Sequence, residues 1–186
     1  MTDDTFTWLL VIPRVPPEPS RHRVAVWREL RRMGAVPIAS GAWVIPEVPA
    51  FTEALAAVRA LAEKGGGSVV VLTAGSYEDG GVSSLRDAFV AARIDEWDEF
   101  IADCAKFDAE IDREIAKEKF TFGELEEEEQ SLERLRRWPR DLSRRNAIPL
   151  DAATTAAQRL DEVTEKLAEF SELVYAANLP AAAGHQ

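Results

Sequence analysis

Residues 6–73 alternate short apolar runs with amphipathic stretches, and that alternation leaves few folds open. Phe6 to Pro13 (FTWLLVIP) is a compact aliphatic run closed by a proline, as a buried strand requires. Val15-Pro16-Pro17-Glu18-Pro19-Ser20 follows as a stiff connection, and Ser20 is placed to N-cap a helix over Arg21 to Met33. At about 100° per residue, Val26, Leu30 and Met33 share one face of that helix, with Trp27 at its edge. Gly34 stops it. Ala35–Ala39 and Ala42–Pro46 flank Ser40-Gly41 as a β-hairpin. Pro49 opens a second helix with Phe51, Leu55, Val58 and Ala62 on one buried face, and Lys64-Gly65-Gly66-Gly67 ends it. Ser68 to Thr73 (SVVVLT) is a β-branched run that reads as a central strand. The order β-α-β-β-α-β predicts a ferredoxin-like module.

The character then changes. Gly75 to Ser84 is a Gly- and Ser-rich connection, and beyond it the chain is acidic and poor in glycine. Phe100, Cys104, Phe107, Ile111 and Ile115 form one stripe of a long helix, expected over Leu85–Glu118 and on the order of 50 Å long. Thr121 and Glu124 fit a capping box, with Phe120 and Leu125 as the hydrophobic staple. Leu125, Leu132 and Leu135 face inward in that second helix, which Trp138-Pro139 is expected to kink or end. Pro149 precedes a last helix in which Leu160, Val163, Leu167, Phe170 and Val174 recur in steps of three and four, a seam suited to packing on two neighbours. The predicted class is α+β. A ferredoxin-like βαββαβ module covers 1–75, a linker 76–84, a three-helix antiparallel region 85–178 and a disordered tail 179–186.

Net charge is -11, which opposes bulk attraction to nucleic acid or anionic membrane. The charge is uneven. Residues 1–80 carry eight basic and nine acidic side chains, whereas residues 81–186 carry fourteen and twenty-four, so the helical part owns nearly all of it. The single cysteine, Cys104, rules out an internal disulfide framework, and with two histidines, His22 and His185, a Cys- or His-based metal centre is not expected. The acidic start Met1-Thr2-Asp3-Asp4 lacks the basic segment of a signal peptide, and no apolar run reaches membrane-spanning length. The expected location is cytoplasmic, with no membrane partner.

Trp8-Leu9-Leu10-Val11-Ile12-Pro13, Ser20-Arg21, Val26-Trp27-Arg28-Glu29-Leu30, Gly34-Ala35 and Gly41-Ala42-Trp43-Val44-Ile45-Pro46 resemble the amino-terminal domain of ChrB-type chromate-resistance regulators. So do Lys119-Phe120-Thr121-Phe122-Gly123-Glu124-Leu125-Glu126-Glu127 and Leu135-Arg136-Arg137-Trp138. The resemblance covers about residues 6–176. It implies a chromate-responsive transcriptional regulator or an accessory protein of chromate resistance, with a first part resembling the Cas2-like fold of PaaX-type regulators. It also implies a departure, because typical members continue into a chromate-resistance domain and this chain is expected to stand alone.

Two arginine clusters are the candidate sites. Arg21, Arg28 and Arg32 form a stripe on the first helix opposite Val26, Leu30 and Met33, flanked by Arg31 and preceded by Arg14. Guanidinium groups can bond two oxygens at once, which suits phosphate or a tetrahedral oxyanion such as chromate. A solvated helix face is the plainer alternative. Arg134, Arg136, Arg137 and Arg140, with Arg144 and Arg145 beyond, surround Trp138. Nucleic-acid contact would use the arginines for phosphate and Trp138 for stacking. Helix electrostatics accounts for the same pattern, because Glu124 and Glu126 to Glu129 open that helix and the arginines close it.

Other constellations are weaker. Asp95, Glu96, Asp98, Glu99, Asp103, Glu124 and Glu126 to Glu129 lack the Glu-x-x-His pairs of a di-iron bundle and read as a solvated acidic face. Cas2-like nucleases hold a metal with an aspartate at the end of the first strand, where this chain has Val11-Ile12-Pro13-Arg14. Cys104 reads as a buried structural thiol, His22 as a surface side chain, and Gly65-Gly66-Gly67 as a turn rather than a phosphate loop. No cofactor is expected. Three functions stay open: a DNA-binding regulator acting as a homodimer, a non-catalytic oligomeric protein-binding module, and, as the least favoured, an enzyme with a pocket between the two parts lined by Arg14, Trp8 and Trp43.

Overall fold

The computed structural model describes residues 7–77 and 80–179. The expected strand residue Phe6, the linker residues Glu78 and Asp79, and the expected tail beyond Leu179 lie outside these. The chain divides into two compact units: Met1–Arg93 with Arg144–Ile148, and Ile94–Ser143 with Pro149–Gln186.

The first unit carries β1 (Trp8–Arg14), α1 (Arg21–Met33), β2 (Val36–Ala39), β3 (Ala42–Pro46), α2 (Pro49–Lys64), β4 (Ser68–Ala74) and the start of α3 (Gly81–Ala116). One sheet has the order β2-β3-β1-β4 with every neighbouring pair antiparallel. β1 takes a central place between β3 and β4, whereas β4, expected as a central strand from its β-branched run, stands at the edge of the sheet. Leu9 pairs with Ile45 and Val11 with Trp43, so these four buried side chains share one face. Trp43 lines one groove with Val26 and Leu30 of α1 on that face. Trp8 projects to the opposite side by the period of two, and its ring lies edge-on to Phe89 of α3 at 5.5 Å. Phe89 also meets Phe51 of α2 at 5.8 Å, so the first turns of α3 belong to this core.

The end of α1 explains a glycine. Gly34 has φ +88°, its N–H donates to the Arg31 carbonyl, and the Ala35 N–H donates to the Leu30 carbonyl, which closes the helix in a left-handed cap. The Gly34 carbonyl accepts from Nη1 of the buried Arg93 at 3.0 Å. A Cβ at Gly34 would lie 2.6 Å from that same Nη1. The start of α1 differs from expectation. Ser20 already has helical backbone angles and makes no side-chain capping bond, because a cap needs an extended residue to reach back to the first amides.

The second unit is built from the rest of α3, from α4 (Phe122–Arg145) up to Ser143, and from α5 (Asp151–Asn178). Its core holds Phe100, Cys104, Phe107 and Ile111 of α3, Leu125, Leu132 and Leu135 of α4, and Val163, Leu167, Phe170 and Val174 of α5. The turn into α4 begins with Glu118 at φ 52°. The Glu118 N–H donates to the Ile115 carbonyl and the Lys119 N–H to the Glu114 carbonyl, the same left-handed cap as at Gly34 but without a glycine. Half of the expected capping box is present. The Glu124 N–H donates to Thr121 Oγ1 at 3.2 Å, while the Glu124 carboxylate accepts from Lys119 instead. The helix does not end at Pro139 but runs on to Arg145. Trp138 packs edge-on against Phe100 at 5.7 Å and Leu142 is buried beyond the proline, which offsets the roughly 3 kcal/mol a helical proline costs.

Candidate nucleic-acid interface

In the first unit, α1 carries five arginines and one glutamate. Its apolar face is committed to the sheet through Val26, Leu30 and Met33, which turns Arg21, Arg28 and Arg32 to the exposed side. Arg21 and Arg28 are exposed and make no ion pair among the described residues. Arg32 donates to Glu29 one turn back, with Nε 2.9 Å from Oε2, and this bond holds the Glu29 carboxyl below the ordinary carboxylate range. Arg31 sits over the Trp27 ring, 6.0 Å from its centroid. Arg14 is exposed at the end of β1, opposite Ser68 of β4. The α1 face therefore offers guanidinium groups that the fold does not consume.

Trp27, expected at the edge of the buried face, is 53% exposed. It borders a groove of about 240 Å³ lined by Pro13, Val15, Arg23, Val26, Leu30, Gly41 and Trp43. Sequence reasoning passed over Arg23, because it sits beside the buried stripe rather than within the arginine one. Trp8, by contrast, is fully enclosed against Phe89 and has no open face to offer a substrate.

The second arginine cluster lies on α4 in the other unit. Arg136 is half-buried and donates to Glu133 at 2.9 Å, whereas Arg137 and Arg140 are exposed. Trp138 is partly buried against the core, so it is a packing residue first.

Among the described residues Arg93, Glu114 and Glu128 are buried charges; the first two were not anticipated, and the third corrects the expectation that Glu126 to Glu129 form a solvated acidic face. Glu114 and Glu128 border a groove of about 690 Å³ between α3 and α4, which also meets Glu110, Glu124, Glu127 and Lys119. Burial works to raise the Glu114 carboxyl, but Lys119 at 3.1 Å and Lys117 at 3.6 Å outweigh it and hold the group below its ordinary range. Glu128 makes no ion pair among the described residues. Burial, and then the charges of Glu114, Glu124 and Glu127, push its carboxyl up, and the attraction of Arg113 is the weakest influence on it. Among the described residues no group of three or more His, Cys, Asp or Glu is placed to hold a metal ion. Burial pushes the Cys104 thiol up to about 11, so it stays protonated at neutral pH.

A four-strand antiparallel sheet with five helices, one of them faced with arginine, defines a mixed α/β protein with a cationic surface on an acidic chain. Residues 23–181 match the family model described as protein ChrB, N-terminal, and the chain belongs to that family. No curated protein and no solved structure matches the chain.

Proposed function

We propose that this chain is a chromate-resistance protein acting as a transcriptional regulator, and that it contacts DNA phosphates through the exposed arginines of α1. Membership of the ChrB amino-terminal family supports the physiological setting. The observation that carries the DNA contact is the pair Arg21 and Arg28, exposed on one stripe and engaged by no carboxylate among the described residues. Phosphate contact by such groups releases counterions and makes binding salt-dependent. Arg31 flanks the stripe, and Arg14, exposed at the end of β1, is a further candidate contact. A tetrahedral oxyanion such as chromate meets the same chemistry and would compete for it. The strand order β2-β3-β1-β4 with two helices supports reading the sheet unit as ferredoxin-like. In this reading the chain works in the cytoplasm as a homodimer that doubles the arginine face, and Arg136, Arg137 and Arg140 are a secondary contact. Among the described residues no helix is long and apolar enough to cross a membrane. Substituting Arg21→Ala and Arg28→Ala together tests the reading: the variant should fold, keep its helical circular dichroism, and lose most of its affinity for DNA from its own upstream region.

A second reading is a non-catalytic module that binds a basic protein segment. The acidic α3–α4 groove favours it, because Glu128 there is buried and makes no ion pair among the described residues. Mass measurement with a basic partner peptide, with and without Glu128→Gln, separates the two readings.

A further inference from the structure

We propose that the groove beside Trp27 takes a single unpaired base of a nucleic acid, stacked on the Trp27 ring, while the neighbouring arginines hold the flanking phosphates. The inference rests on the DNA-contact reading and narrows its ligand from duplex to a strand with an accessible base.

The size of the groove comes first. At about 240 Å³ it falls below the ~300–1,000 Å³ of sites for drug-sized ligands, so it has room for one ring system and little more. Its floor is apolar, formed by Pro13, Val15, Val26, Leu30 and Trp43, which suits the face of a ring and not a hydrated ion. Gly41 sits at one wall with φ +75°, and a Cβ there would meet nothing within 4 Å, so the wall is open to an entering group.

Trp27 supplies the stacking surface. Of the five tryptophans it alone is exposed; Trp8, Trp43 and Trp97 are buried and Trp138 is partly covered. An indole left more than half in water presents an unsatisfied apolar face. Base–aromatic stacking is tolerant of sequence because every base presents a π-face.

Charge selects the class of ligand. Arg23 lines the groove and Arg31 lies over the Trp27 ring, so two guanidinium groups border the aromatic surface. An uncharged aromatic would leave these guanidinium groups unused. A base carried between two phosphates uses the ring and the cations together.

The test uses the full chain and end-labelled oligonucleotides of one sequence, presented as a single strand, a perfect duplex and a duplex with one bulged base. Anisotropy and tryptophan emission are read together at low salt. The single strand and the bulged duplex should bind on the order of tenfold more tightly than the perfect duplex, with quenching of the exposed tryptophan. Trp27→Ala should abolish that preference and the quenching while leaving duplex affinity in place, and Trp27→Phe should retain part of both. Equal binding of all three forms, unchanged by Trp27→Ala, overturns the base site and leaves the phosphate contact standing. Absence of binding to any form overturns both. Light scattering on the same variants covers the other occupant: if Trp27→Ala lowers the oligomeric mass and leaves the preference intact, a second copy of the chain fills the groove and the proposal fails.

Discussion

Glu128 and Glu118 each break a local rule, and each break has a measurable consequence. The raised carboxyl of Glu128 means that its ionised form is disfavoured in the folded chain. An acid whose folded pKa is raised costs stability above that pKa, and the cost disappears as pH falls through the folded value toward the ordinary one. Glu128→Gln should therefore raise the melting temperature at neutral pH, and the difference from wild type should shrink toward about pH 4. Thermal melts across that range check it, and a gain that grows on acidification would contradict it. Glu118 holds φ 52° in a cap position that favours glycine. Glu118→Gly should stabilise the fold by about 1 kcal/mol, read from denaturant midpoints. Cys104, buried and pushed up to about 11, should resist a water-soluble thiol reagent in the native state and react on unfolding. Its burial was legible from its place in the apolar stripe of α3. Glu128 was passed over because it was read with the solvated run Glu126 to Glu129, although it stands three residues after Leu125 and four before Leu132, on their buried face.

Elements were read more securely than their ends. α1, the hairpin strands, α2 and the β-branched β4 were all expected from apolar spacing and glycine stops, and they occur within a residue or two of those bounds. Burial periodicity sets these elements, and periodicity is visible in sequence. The continuation of α4 past Pro139 was not, because it depends on Trp138 meeting Phe100 and on the burial of Leu142, both tertiary facts. Pro139→Ala restores a backbone donor and should stabilise the protein by about 1 kcal/mol or more, checked by chemical denaturation. The pairing of α5 with α3 has a polar component as well. Lys166 reaches both Asp108 and Asp112 at 2.6 Å, and although burial works to lower the Lys166 ammonium, the two carboxylates raise it. Lys166→Ala should cost about 0.5–1 kcal/mol, and less at high salt.

For the whole molecule, charge is the quantity that bears on function. A chain of net charge -11 binds DNA only if a local face overrides the bulk, and the candidate face is α1, with five arginines against a single glutamate. The arginine stripe was legible because it lies opposite an apolar stripe on one short helix. The Trp27 groove was not, because it forms only when β1, α1 and the hairpin come together. The division of the chain within α3 follows from two aromatic anchors, Phe89 in one core and Trp97 in the other, which periodicity alone does not separate. The most direct test is fluorescence anisotropy with DNA from the protein's own upstream region, across a salt series, with and without chromate. The regulator reading predicts binding that weakens as salt rises, a salt slope reduced by about 1 for each of Arg21→Ala and Arg28→Ala, and release by chromate. Absence of binding at low salt, or binding that both arginine substitutions leave unchanged, would contradict it.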